Sequence, residues 1–118
     1  MKQYYVQPYN NRGANYDEKG LFYKAVEDYT KAIGLNQDFP QAYNNRGLTH
    51  WKLGLFDKAM EDFTKAIDLD PGYSKAHLSR GFLYLRTGNT LSAVTDLRKA
   101  CSLGNERGCK ALQNLVNN

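Results

Sequence analysis

Two histidines, two cysteines and three recurring arginines are the residues of this 118-residue chain whose chemistry needs assigning first. A nucleophilic site requires a nucleophile, a base within hydrogen-bond reach and a third group that orients the base. A metal site requires clustered ligands, such as histidines at i and i+4 or a Cys/His group. His50 and His77 meet neither pattern. They stand in slots of a repeating pattern that other units fill with tyrosine, so packing is the favoured reading of both. Cys101 and Cys109 are too few for a disulfide framework and read as reduced structural thiols. The glycines form no GxxxxGK[ST] phosphate loop. The chain is therefore read as a non-enzyme with no metal and no cofactor.

The elements that position these residues follow from self-comparison at a shift of 34. Val6–Phe39 and Pro40–Tyr73 agree at 18 of 34 positions, where chance gives on the order of two. Ser74–Arg107 agrees with the second block at 9 of 34. The predicted division is a lead-in (1–5), three units (6–39, 40–73, 74–107) and a tail (108–118).

Within each unit the apolar residues step by three and four, which marks one buried helix face. Phe22, Ala25, Val26, Tyr29, Ala32 and Ile33 show it in the first unit, and Phe56, Ala59, Met60, Phe63, Ala66 and Ile67 in the second. Ala93 stands in the third unit at the place of Ala25 and Ala59. A second helix precedes each of these. Gly20, Gly54 and Gly88 lie where a left-handed residue would end it. Gly13, Gly47 and Gly81 fall mid-helix, where glycine costs about 1 kcal/mol against alanine, so a close helix approach must explain them. Pro8 and Pro40 fit a first helical turn. Each unit is a helix-turn-helix that cannot hide its apolar face alone, so the units must stack. Ala111, Leu112, Leu115 and Val116 predict a further helix capping the last unit.

Period, glycines and apolar pattern together resemble the tetratricopeptide repeat. The residues that carry the resemblance are Tyr9, Arg12-Gly13, Tyr16, Ala25 and Tyr29, repeated as Tyr43, Arg46-Gly47, His50, Ala59, Phe63 and Pro71, and again as His77, Arg80-Gly81, Tyr84, Ala93 and Leu97. The end, KACSLGNERGCKAL, is similar to Sel1-like repeats, whose linkers are slightly longer. The resemblance implies an all-α, right-handed superhelical α-solenoid of three helix-turn-helix repeats plus a C-terminal capping helix. It departs from the family at position 7, where Arg12, Arg46 and Arg80 replace leucine. These recur with Asp28, Asp62 and Asp96, and pairing between helices is expected, because a partly buried guanidinium needs a carboxylate.

The resemblance further implies a concave groove lined by first helices. Carried over, its candidate residues are Asn10, Asn44, Asn45, Leu48, Trp51, Lys52, Lys75, Leu78, Phe82 and Arg86. Covering of Leu78, Phe82 and Leu85 by the tail helix is the competing reading of that end. Some relatives clamp a chaperone's terminal carboxylate. The matching places here hold Asn10, Ala14, Asn45, Lys75 and Ser79; only Asn45 and Lys75 fit, so no such clamp is expected.

The net charge of +4 is uneven: the first two units each carry −1 and the third +4. A protein or peptide ligand with an apolar anchor near Trp51 and Phe82 and acidic groups near Lys52, Lys75 and Arg86 suits that gradient. The expected function is a protein–protein interaction scaffold. The alternatives are self-assembly into homo-oligomers and weak nucleic-acid binding through the third unit. A local +4 is thin support for a phosphate track, so nucleic acid is disfavoured. Apolar residues make up 42% and charged residues 24%, with no apolar run near the roughly 20 residues of a membrane span. No membrane association and a cytoplasmic location are expected.

Overall fold

The computed structural model describes residues 3–117, and among them there are seven helices and no strands. They are α1 (Gln3–Glu18), α2 (Phe22–Leu35), α3 (Pro40–Lys52), α4 (Phe56–Leu69), α5 (Ser74–Arg86), α6 (Thr90–Ser102) and α7 (Glu106–Asn117). Consecutive helices pack as antiparallel neighbours joined by short turns, and α1 touches α3 as α3 touches α5. The odd-numbered helices therefore line one side of an all-α helical-repeat solenoid.

The step of 34 is visible in the helix starts: α2, α4 and α6 begin at residues 22, 56 and 90, and α3 and α5 at residues 40 and 74. Each unit closes on its own alanine at full burial: Ala25, Ala59 and Ala93 are wholly enclosed. A Cβ added at Gly47 would lie 2.6 Å from Phe63 Cε1, and one at Gly13 2.7 Å from Tyr29 Cε1. At Gly81 the nearest Leu97 carbons would be 3.0 Å away. The first helix of each unit thus presses its backbone against the side chain at the centre of the second, and only a residue without Cβ permits that approach.

Two boundaries differ from the sequence reading. Helix α1 already runs from Gln3, inside the expected lead-in, and Pro8 lies within it rather than in its first turn. An interior proline has no amide to donate and its ring crowds the carbonyl four residues earlier, so α1 gives up one backbone hydrogen bond in its second turn. Helix α7 starts at Glu106, two residues inside the expected third unit.

The reason for the second shift is the turn. Residues 103–105 join α6 to α7 with three residues, as 19–21, 53–55 and 87–89 join helices inside the units, whereas 36–39 and 70–73 join the units with four. Gly104 has φ +93°, matching Gly88 at +86°. Asn89 caps α6 by accepting from Ser92 N at 3.3 Å, and Asn105 accepts from Gly108 N at 3.1 Å. Thus α6 and α7 are hinged by an intra-unit type of turn. The turn brings Cys101 and Cys109 together as a disulfide. This corrects the expectation of two reduced thiols: eight positions apart in the chain, the cysteines sit on the facing ends of two hairpinned helices, 4.5 Å apart at Cα.

Candidate functional site

The frame of the site is set by three guanidinium–carboxylate pairs. Arg12 Nε donates to Asp28 Oδ2 at 2.6 Å, Arg46 Nη2 to Asp62 Oδ1 at 2.7 Å and Arg80 Nε to Asp96 Oδ2 at 2.7 Å. A second N–H in each pair reaches the other carboxylate oxygen, so all three are bidentate. The expected pairing is present in every unit. Two of the arginines also reach backwards. Arg46 Nη1 donates to Thr30 Oγ1 and Arg80 Nη1 to Thr64 Oγ1, each at 3.3 Å, so each guanidinium ties its own unit to the preceding one.

The histidines belong to this frame. His77 is buried with Nε2 2.8 Å from the Pro71 carbonyl oxygen. His50 Nδ1 lies 2.9 Å from Asp62 Oδ2, off the hydrogen-bonding direction, and burial holds its pKa below the usual histidine value. Tyr29, packed under Gly13, has its phenol pushed up to about 12, mainly by burial and then by the charge of Asp17. Among the described residues no group of three His, Cys, Asp or Glu is placed to hold a metal ion.

A groove of about 960 Å³ opens on the side lined by α3, α5 and the start of α7. Eight of the ten residues carried over from the resemblance face it: Asn44 and Asn45, Leu48 and Trp51 from α3, and Lys75, Leu78, Phe82 and Arg86 from α5. Period 34 brings them together, because equivalent positions on α3 and α5 stack side by side.

Asn10 and Lys52 are not in its lining. Asn10 is buried and accepts from Asn45 Nδ2 at 3.1 Å; Lys52 Nζ donates to Asp17 Oδ2 at 2.6 Å, and Thr49 Oγ1 to Asp17 Oδ1 at 3.1 Å. Both residues stitch the first unit to the second. Ser79 and Leu85 also line the groove, together with Tyr73, Asn105 and Arg107. The sequence reading missed the last three as groove residues. Tyr73 stands in an inter-unit linker, and the other two sit at the shifted start of α7; the GN pair shared by the turns at 88 and 104 was the available signal.

The tail helix covers part of this end. Ala111, Leu112 and Leu115 pack with Leu78, Leu97 and Ala100, yet Phe82 and Leu85 remain partly exposed to the groove. Three cations stand on the rim, Lys75, Arg86 and Arg107, and no carboxylate is in the lining. None of the three has an acidic partner within 4 Å among the described residues. Arg107 lies over Phe82 with its guanidinium carbon 5.9 Å from the ring centre. On the wall, Asn44 Oδ1 is buried with no hydrogen-bond partner among the described residues. A buried orphan acceptor costs about 1–3 kcal/mol.

Models of the tetratricopeptide repeat match residues 40–73 and 74–104, and a model of the TPR repeat matches 13–54. The chain belongs to the tetratricopeptide repeat family. No curated protein matches its sequence. Among solved structures the chain is similar to the Arabidopsis OM64 TPR domain, at 28% identity and TM-score 0.87, covering 97% of this chain and 98% of that one. It is equally similar in fold to the second TPR domain of human RPAP3 in complex with the HSP70 peptide SGPTIEEVD, at 27% identity, TM-score 0.87 and 97% coverage of both. The first TPR of Spaghetti (RPAP3), bound to the HSP90 peptide SRMEEVD, shares the fold at TM-score 0.87 and 23% identity over 95% of this chain and 90% of that one.

Proposed function

We propose that the chain is a non-enzymatic interaction module that holds an acidic peptide segment, with a large apolar side chain at its centre, in the groove between α3, α5 and α7. The observation that carries this reading is the groove's chemistry: apolar walls, three rim cations and no carboxylate. Trp51, Leu48 and Phe82 offer the apolar seat. Lys75, Arg86 and Arg107 attract carboxylates and steer the encounter. Family members that hold chaperone-tail peptides support the peptide class of ligand.

The same geometry argues against a terminal-carboxylate clamp as the mode of capture. Asn10 and Asn45 spend hydrogen bonds on each other, and Ser79 Oγ donates to the Lys75 carbonyl oxygen at 2.8 Å. The peptide SRMEEVD is expected to bind in the millimolar range or not at all. The test uses an acidic octapeptide, EEDLFDEE, blocked at both ends so that no terminal carboxylate contributes, with KKSLFSKK as the reversed-charge control. Calorimetric titration should show binding of the first, weakened by salt, and none of the second. Replacing Trp51 and Phe82 together by Ala should abolish capture with helicity largely kept. Binding that survives the double replacement, or equal binding of both peptides, refutes the groove assignment.

A further inference from the structure

We infer that the Cys101–Cys109 disulfide latches one wall of this groove, so that ligand capture depends on the redox state of the pair. The inference rests on the groove being the peptide site. Two of the groove's lining residues, Asn105 and Arg107, come from the α6–α7 turn and the first turn of α7. Arg107 is one of only three cations in the lining, and it lies against Phe82 at the apolar seat. The disulfide binds the end of α6 to the same first turn. Both half-cystines are partly exposed, so a small dithiol or a thiol-reducing protein reaches them.

The fit around the latch is tight. A Cβ at Gly108 would lie 2.8 Å from Ala100 Cβ and 3.1 Å from Cys101 N, so the start of α7 rests directly on α6. Reduction breaks the S–S bond, and two electrons and two protons from the dithiol leave one thiol on each cysteine while the dithiol itself becomes a disulfide. Without that tie α7 is held by its apolar stripe, Ala111, Leu112 and Leu115, and by the close seat of Gly108 on α6, and a terminal helix held on one side opens most readily. Arg107 and Asn105 leave their places, and the groove loses its third cation.

The experiment follows EEDLFDEE binding to the same chain oxidised, reduced with excess dithiothreitol, and reoxidised, alongside a Cys101→Ser/Cys109→Ser double variant and Arg107→Ala. Reduction should weaken binding about tenfold and reoxidation restore it. Hydrogen exchange of residues 106–117 should accelerate on reduction while α3 and α5 stay protected. The double serine variant should match the reduced chain whether or not dithiothreitol is present, and Arg107→Ala should weaken the oxidised chain similarly. Equal affinity in the oxidised and reduced chains overturns the latch and leaves the groove assignment standing. Unchanged binding by Arg107→Ala overturns the role given to α7. Absence of binding by the oxidised chain overturns the groove assignment and the latch with it.

Discussion

Replacing Gly47 and Gly34 by alanine, one at a time, tests the idea that close helix approach governs this fold. Gly34 lies inside α2, and an added Cβ there meets nothing within 4 Å. Alanine should gain about 0.5–1 kcal/mol from helix propensity and from the lowered entropy of the unfolded chain. Gly47 lies inside α3 and would collect the same gain, but its Cβ would sit 2.6 Å from Phe63 Cε1, 2.8 Å from Phe63 Cδ1 and 3.1 Å from Asp62 Cβ. Ordinary contact begins about 1 Å further out. Phe63 is 0% exposed and encircled by Ala59 and Leu83, so the ring has no empty volume to enter. Overpacking of that kind costs about 1–3 kcal/mol, and the immobile ring places it at the upper end. The net loss should be about 2 kcal/mol, leaving the two variants roughly 2–3 kcal/mol apart although they carry the same chemical change. In urea, with a slope of about 1–2 kcal/mol per molar, their midpoints should differ by more than about 1 M, on opposite sides of the parent. A Gly47→Ala chain as stable as the parent would refute the claim that the glycine is there to let the helices meet.

Two further outcomes follow from the same frame. Asp62→Ala should lower stability by about 2–4 kcal/mol, because the Arg46 side chain is only 20% exposed and its guanidinium would be left without its carboxylate. Asp28→Ala should cost less, since Arg12 is 53% exposed and water replaces the carboxylate; urea midpoints of the two variants, ranked the other way, would contradict this. Stability should also fall with acid in a way that depends on His50. Its folded pKa is held below 6.5 by burial, so below about pH 6.5 the unfolded chain takes up a proton that the folded chain resists. Stability is therefore fully present at neutral pH and declines as pH drops, and His50→Tyr, which installs the residue of the other units, should flatten that decline in denaturant midpoints taken at pH 7 and 5.5.

Period and helix faces were legible because every unit must solve the same burial problem with the same positions. Gly13, Gly47 and Gly81 announced the close approach, since a helix tolerates an interior glycine only for a packing reason. Arg46 with Asp62 announced a buried pair by recurring together. What the sequence concealed lies where the period breaks. Nothing in a step of 34 says that α7 begins two residues early; that is fixed by the turn at Gly104 and Asn105, which copies Gly88 and Asn89 locally while the global register moves on. The disulfide was hidden for the same reason, because the facing of Cys101 and Cys109 exists only once that turn is made. Lys52 and Asn10 were assigned to the groove by position, but Asp17 and Asn45 lay close enough to claim them.

The backward reach of Arg46 and Arg80 to Thr30 and Thr64 has a consequence for how the array bears damage. Each guanidinium is a rivet through two plates, fastening the helix pair it belongs to and the pair beneath. Loosening one plate slackens the next, so the protein behaves as a laminate rather than as beads on a string. At the corresponding place after Thr30 and Thr64 the third unit carries Arg98, a cation where an incoming rivet would look for a hydroxyl. A further plate of the same pattern would meet repulsion there instead of a fastening.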